Sequence, residues 1–155
     1  MVMNSTYTQL EKDLSGKGWC LSMTEGDSME PLLRQNQNMV LIERAQGILN
    51  INDVALYRRP GQNKLVLHRV VKVRARDYLI CGDNRLYKEV VPHGWVIGVM
   101  RGYYENNNFI STDDTTYKDY VRNLKKRYVI RYLREFPGRL KRKVVRMLDA
   151  KKKLK

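Results

Sequence analysis

The chain has 155 residues, of which 43% are hydrophobic, and a net charge of +14. This length allows one domain with its own core plus a tail, and the hydrophobic content excludes a wholly disordered chain. The charge lies almost entirely at one end: residues 117–155 hold 16 Lys/Arg against 3 Asp/Glu, whereas residues 1–116 hold 14 against 13. We therefore expect a nearly neutral body and a basic tail.

No segment has the composition of a targeting or membrane-spanning sequence. Residues 1–19 lack the apolar core of a signal peptide, and no run reaches the roughly 20 apolar residues of a membrane span. Cys20 and Cys81 have no CxxC spacing, so neither a zinc site nor a redox motif is indicated, and buried thiols in a reducing compartment are favoured over a disulfide. The sequence thus predicts a cytoplasmic protein without a cofactor or a metal.

The body is predicted to be a β domain. Residues 1–18 are polar and predict a short lead-in. From residue 19 onward, short runs rich in Val, Ile, Leu and Tyr alternate with turns that contain Asn, Gly or Pro. No helical period interrupts them, so we expect a mainly antiparallel β domain over residues 19–111. The predicted strands are Trp19–Met23, Met39–Glu43, Val54–Arg58, Lys64–Val73, Tyr78–Cys81 and Trp95–Met100.

Beyond residue 111 the pattern becomes helical. Residues 111–116 supply several N-cap candidates, and the Pro-Gly pair at residues 137–138 ends or kinks the helix that they begin. The tail, residues 112–155, is therefore predicted to form two basic amphipathic helices. The apolar positions that carry the period are Tyr117, Tyr120, Val121, Leu124, Tyr128 and Tyr132, and then Leu140, Val144 and Leu148.

Three short motifs in the body carry groups suited to nucleophilic catalysis. Ser28 lies in residues 26–31 (GDSMEP), His68 begins the stretch HRVV, and residues 82–84 are GDN. A serine hydroxyl is a poor nucleophile at neutral pH and needs a base to take its proton and a donor to hold the oxyanion. His68 is the candidate base for Ser28.

The position of His68 in a predicted strand supports this role. Consecutive strand residues point to opposite faces, so His68 is able to face the site while Arg69 faces away. His93 is the weaker candidate base, because it lies in a Pro-His-Gly turn. Taken alone, a turn serine and a strand histidine are more often structural than catalytic, and it is their combination that favours catalysis.

The order and spacing of the motifs resemble those of the signal peptidase and SOS-repressor autopeptidase superfamily, whose members share a coiled β fold. The resemblance covers roughly residues 20–101. It implies a coiled antiparallel β peptidase domain in which Ser28 is the nucleophile and its own backbone N–H helps to form the oxyanion hole. His68 stands where most bacterial members have a lysine, as in the endoplasmic-reticulum and archaeal branch. The matching stretches are residues 28–31 (SMEP), 52–58 (NDVALYR), 68–71 (HRVV), 82–84 (GDN), 91–92 (VP) and 96–99 (VIGV).

The resemblance leaves the third catalytic group open. The histidine branch has an acidic residue shortly after GDN that orients the imidazole; Glu89 lies near that place here, and Asp83 is the rival. Gly26 stands where many bacterial relatives have a serine that supports the oxyanion. Met29 is expected to pack beneath the site and Gly82 to serve the turn. The positions expected to support the site are Met29, Pro31, Arg69, Gly82 and Asn84.

These features predict a serine endopeptidase that cleaves a precursor peptide or protein after small residues by a Ser/His mechanism, without a transmembrane anchor. Residues 117–155 are expected to bind an anionic membrane surface at its cytoplasmic face or to pack on their own domain. Nucleic acid is disfavoured, because no nucleic-acid motif is present. Two other functions stay open: a catalytically silent scaffold that binds peptides or membranes, and a self-cleaving, repressor-like regulator that binds DNA through the tail.

Overall fold

The computed structural model describes residues 2–3, 7–61 and 64–135, with residues 2–3, 7–8 and 134–135 described by their backbone alone. The chain divides into one compact unit from Met1 to Arg122 and a second from Asn123 to Lys155. The predicted second helix of the tail, over residues 140–148, lies outside the described residues.

The first unit is built on one antiparallel sheet. The strands of its described part are β1 (Val2–Met3), β2 (Trp19–Glu25), β3 (Met39–Arg44), β4 (Val54–Arg58), β5 (Leu65–Val73), β6 (Asp77–Cys81), β7 (Glu89–Pro92), β8 (Val96–Glu105) and β9 (Asn108–Ser111). Their spatial order is β1-β2-β3-β8-β4-β5-β6-β7, with β9 beside β8. Because β1 pairs with β5 as well as with β2, the sheet curls round and closes through β1.

Irregular pairing helps to curl the sheet. β3 and β4 each pair with β8, and β5 pairs with β6, and the register shifts once along each of these three pairings. An extra residue in one strand of a pair bends that strand and increases its twist. The shifts therefore lie where a flat sheet has to bend round its own core.

Most of this sheet lies where the sequence pattern predicts strands. Each of the six predicted strands coincides with an observed strand, and the mainly antiparallel β architecture is confirmed. β1, β7 and β9 were not predicted, since they are two to four residues long and too short to show an alternating pattern.

A helix, α1 (Tyr7–Gly16), forms within the segment that the sequence analysis describes as a lead-in. Leu10 and Leu14 on this helix are 1% and 3% exposed and belong to the core cluster of the domain. They lie four residues apart and so share one helical face. Tyr7, Leu10 and Leu14 stand at helical spacing, but this period lasts only about two turns in an otherwise polar segment, which is too short to indicate a helix from sequence.

β4 and β5 are buried on both faces of the sheet. Val54 and Leu56 belong to one apolar cluster, and Ala55 and Tyr57 belong to another. Side chains alternate along a strand, so consecutive β5 residues also reach opposite clusters. His68, the partner of Ala55, therefore lies on the face of Tyr57, and the next residue of β5 pairs with Val54 on the other face.

Both cysteines are free and buried, which confirms the prediction of unpaired thiols. Burial raises the pKa of Cys20 to about 11. Its thiol is therefore protonated at neutral pH, and a protonated thiol is a poor nucleophile.

Two helices, α2 (Thr115–Arg122) and α3 (Leu124–Glu135), form where the spacing predicts one. The break falls at Asn123, whose carbonyl oxygen accepts a hydrogen bond from the backbone N–H of Arg127 (3.2 Å). Asparagine favours helix starts over helix interiors, because its side chain competes for backbone hydrogen bonds. α2 lies in the first unit and α3 in the second. Among the described residues, no helix has the length and apolarity needed to span a bilayer.

The burial of α1 predicts that Leu14→Ala destabilises the β domain. Removing a fully buried leucine side chain leaves a cavity and costs about 2–5 kcal/mol in the free energy of unfolding, which urea unfolding measures. Lys12→Ala on the exposed face of the same helix is the matched control and should change this free energy by less than about 0.5 kcal/mol. Equal effects of the two substitutions would mean that α1 does not contribute to the core.

Candidate active site

Ser28 and His68 meet across the fold. Ser28 lies three residues beyond the end of β2, and His68 lies on β5. The Ser28 Oγ and the His68 Nε2 are 2.9 Å apart, within hydrogen-bonding distance. The two residues are 5% and 6% exposed, so the pair is almost completely buried. A histidine nitrogen at this distance is placed to accept the proton of the hydroxyl.

Glu89 lies at the other ring nitrogen of His68. Its Oε1 is 3.4 Å from the His68 Nδ1. Its Oε2 accepts hydrogen bonds from the Nε and one terminal nitrogen of Arg59, at 3.0 and 2.5 Å. Arg59 therefore holds one carboxylate oxygen while the other faces the imidazole.

Tyr57 is a second partner of the same ring nitrogen. Ala55 pairs with His68, and Tyr57 lies two residues after Ala55 on β4. The side chains of Tyr57 and His68 therefore lie on the same face of the sheet. The Tyr57 hydroxyl lies 3.2 Å from the His68 Nδ1. When Nε2 accepts from Ser28, Nδ1 must carry the ring proton and donate it toward Tyr57 and Glu89.

The pKa shifts suit a base and an orienting carboxylate. Burial lowers the pKa of His68, and the hydrogen bond with Glu89 opposes this effect. The hydrogen bonds with His68 and Arg59 outweigh burial and lower the pKa of Glu89 to about 2. At neutral pH the imidazole is therefore neutral and the carboxylate is charged. Burial and the charge of Glu89 raise the pKa of Tyr57, which keeps its hydroxyl protonated.

The Gly-Asp-Asn turn holds the Ser28 loop in place. The backbone N–H of Asn84 donates to the Ser28 carbonyl (2.7 Å), and its side-chain amide donates to the Asp27 carbonyl (3.0 Å). A Cβ on Gly82 would lie 2.6 Å from the Ser28 carbonyl oxygen. Glycine is therefore required at this position by the close approach of the two backbones.

Asp83 contacts Arg69 in the described structure, so the carboxylate found beside His68 is that of Glu89. The Arg69 Nε and a terminal nitrogen donate to the two carboxylate oxygens of Asp83, at 2.8 and 2.6 Å. Arg69 is 1% exposed and Asp83 is 2% exposed. Tyr117 on α2 accepts a hydrogen bond from Arg69 (2.9 Å), and Tyr120 on α2 donates to Asp83 (3.0 Å). This pair fixes the turn to β5 and to α2.

Three further positions named in the sequence analysis lie in the loop that carries Ser28. Met29 is fully buried and belongs to the same apolar cluster as Val54 and Leu56. Pro31 is exposed and follows a cis peptide bond. Gly26 has a φ of +82°. A serine adopts this left-handed backbone only with strain, so the conformation accounts for glycine at this position.

His93 lies elsewhere in the described structure. Its ring packs against Tyr78, with the ring centroids 4.3 Å apart. It belongs to a single 3₁₀ turn, His93–Trp95, between β7 and β8. The histidine at Ser28 is His68.

Four residues that contact the site have no role at it in the predictions from sequence: Tyr57, Arg59, Tyr117 and Tyr120. Tyr57 lies two residues after Ala55 on β4 and so extends the row of side chains that faces His68, and Arg59 lies one residue beyond the end of β4. That spacing was visible in the sequence. The pairing of β4 with β5 was needed to turn it into a contact.

Neither a protein-family model nor a curated protein matches this chain.

The contact between Glu89 and His68 predicts a shift in the titration of the imidazole. A nearby negative charge favours the protonated ring, so Glu89→Gln should lower the pKa of His68 further. Heteronuclear NMR of the ring nitrogens as a function of pH measures the midpoint, with His93 as an internal reference. Asp27→Asn, which removes an equal charge that pairs with Arg85, is the control and should leave the His68 midpoint in place. An unchanged or higher midpoint in Glu89→Gln would exclude Glu89 as the orienting group.

Proposed function

We propose that this chain is a serine endopeptidase of the signal-peptidase-like class that cleaves a precursor peptide or protein after small residues. The observation that supports it best is the Ser28 Oγ at 2.9 Å from the His68 Nε2, with the Glu89 carboxylate at the opposite ring nitrogen. Nucleophile, base and orienting acid in this order form the arrangement of a catalytic triad. The preference for small residues comes from the family resemblance.

In the proposed mechanism, Ser28 attacks the carbonyl carbon of the scissile bond while His68 takes the hydroxyl proton at Nε2. The charge that develops on the substrate oxygen is held by the backbone N–H of Ser28. The protonated imidazole then gives its proton to the leaving amine, which departs and leaves an acyl-enzyme. Water, deprotonated by His68, attacks the acyl-enzyme; the bond between the acyl carbon and the Ser28 Oγ breaks, His68 returns the proton to Ser28, and the second product leaves.

The groups behind the imidazole have a defined part in this mechanism. Glu89 favours the imidazolium that forms during attack, and Arg59 prevents the carboxylate from rotating away. The neutral ring at rest is the form that is able to accept a proton. Tyr57 holds the ring from the same side as Glu89.

These contacts favour an enzyme over a catalytically silent scaffold. A protein that only binds peptides has no need for a charged carboxylate held by an arginine behind a buried histidine. The self-cleaving regulator uses the same chemistry on its own chain, so cleavage of added peptides separates it from an enzyme that acts on other molecules.

We also propose that the tail holds the enzyme at an anionic membrane surface. α3 has five Lys/Arg against one Glu. Cationic residues beside exposed apolar side chains are typical of helices that bind at the membrane interface. Four apolar side chains of α3 are more than half exposed: Val129, Ile130, Tyr132 and Leu133.

Cleavage of a diverse peptide library, followed by mass spectrometry, tests the peptidase. Wild type should cut after small residues, and Ser28→Ala and His68→Ala should each lower the rate by at least about 10³-fold, since each removes a group that the reaction needs. Ser15→Ala and His93→Ala are the matched controls and should retain the wild-type rate. A library left intact by every variant would favour the binding scaffold.

Sedimentation with vesicles of phosphatidylcholine and phosphatidylserine tests the tail. Ile130→Asn combined with Leu133→Asn should weaken binding about tenfold or more, because two apolar side chains lose their burial in the interface while the charge is unchanged. Ile48→Asn combined with Ile51→Asn changes two equally exposed isoleucines of the body and should have no effect. Equal loss in both double variants, or none in either, would contradict a membrane role for α3.

A further inference from the structure

β1 lies between the two strands that lead to the candidate catalytic pair. Val2 pairs with Glu25 of β2 and with Val66 of β5, and Met3 pairs with Thr24. β1 runs antiparallel to both neighbours, so β2 and β5 run parallel to each other on either side of it. A gap one strand wide thus separates β2 from β5, and residues 2–3 of the chain fill it.

The edges of this gap are suited to backbone pairing. β4 occupies the other edge of β5 opposite residues 65–69, and β3 occupies the other edge of β2 opposite residues 19–23. On the side of the gap, β6 pairs with β5 only from residue 69 onward. The edges of β2 and β5 that face the gap therefore present backbone N–H and C=O groups, and an extended segment in the gap is able to pair with both strands.

The gap lies beside Ser28 and His68. Val66 is two residues before His68 on β5, and Glu25 is three residues before Ser28. Val2 pairs with Glu25, the last residue of β2, and Met3 pairs with the residue before it. The start of β1 therefore lies beside the end of β2 from which the chain continues to Ser28. Ser28 and His68 are 5% and 6% exposed in this state. An extended peptide that pairs with both strands has to take the place that β1 holds.

We propose that β1 occupies the peptide-binding gap in cis and competes with extended peptides for it. The proposal rests on the proposed function, since the competitor that β1 excludes is the substrate. An occupant covalently joined to the same chain is present at a high effective concentration, so even weak pairing blocks the gap. An occupancy of about 90% lowers the apparent affinity for a competing peptide about tenfold.

A reversible cross-link gives the sharpest test. Val2 and Val66 are directly paired, and paired residues of an antiparallel ladder lie within the distance that a disulfide spans. In Val2→Cys/Val66→Cys, oxidation fixes β1 in the gap and reduction releases it. The probe is a fluorescent, N-acetylated peptide of residues 1–8, and its binding is measured in the Ser28→Ala background so that cleavage plays no part.

We expect the reduced protein to bind this peptide and the oxidised protein to bind it at least about tenfold more weakly. Val66→Cys alone is the control and should bind equally in both redox states. Equal binding by the oxidised and reduced double variant would overturn the proposal.

A second variant weakens the pairing of β1 and tests whether the peptide then binds more tightly. Val2→Pro/Met3→Pro removes two backbone donors from β1 and disfavours a strand between two others, so it should bind the peptide about tenfold more tightly than wild type. Val2→Thr/Met3→Val keeps strand-forming residues and should match wild type. Circular dichroism checks whether both variants are folded. If the proline variant is not folded, the comparison of the oxidised and reduced cross-linked protein alone tests whether β1 competes with the peptide.

Library cleavage by the same variants with Ser28 intact separates this proposal from the proposed function. Peptide binding that follows the expected order, without cleavage by any variant, would support the gap and contradict the peptidase. Cleavage that depends on Ser28 but is equal in oxidised, reduced and proline variants would support the peptidase and overturn the proposal for β1.

Discussion

The buried ion pair between Arg69 and Asp83 determines how the candidate site is assembled. Removing one partner of a buried pair leaves an uncompensated charge and costs about 3–5 kcal/mol, so the two side chains stay together in the folded state. Arg69 follows His68 on β5, and Asp83 is flanked by Gly82 and Asn84, which contact the Ser28 backbone. Pairing the two charges therefore brings the Ser28 loop against the strand that carries the imidazole. The hydrogen bonds from α2 to both members of the pair attach that helix to the same junction.

The imidazole itself is balanced between two opposing effects. Burial favours the neutral ring, whereas Glu89 favours the protonated ring, and the balance lies on the neutral side. A base that starts neutral and gains a stabilised charge as it takes a proton meets the requirements of general-base catalysis near pH 7. Arg59 acts on the imidazole through Glu89, because its hydrogen bonds keep the Glu89 carboxylate charged and oriented. Glu89, His68 and Arg59 thus form one electrostatic unit.

The sequence was most informative where chemistry depends on local motifs. Ser28, His68 and Glu89 were singled out from residue type and order, and the structure brings the three together. Asp83 is the rival acid in the sequence, and in the structure it binds Arg69. Arg69 lies on β5 and Asp83 lies in the turn after β6, so no spacing in the sequence indicates that the two side chains meet. Tyr57 and Arg59 were missed for the same reason. The helical period of α1 extends over only about two turns and β1 has only two residues, so neither pattern is long enough to indicate its element, although both elements are held by tertiary contacts.

The closure of the sheet connects its architecture to its chemistry. Six strands, β1, β2, β3, β8, β4 and β5, form a ring, and β1 is by far the shortest member. Each backbone hydrogen bond contributes only about 1 kcal/mol net, so a two-residue strand is held far more weakly than the other five. Local opening in proteins occurs first where few bonds hold a segment. Among the described strands of the ring, the most weakly held one therefore lies beside Ser28 and His68, where we propose that an extended peptide takes its place.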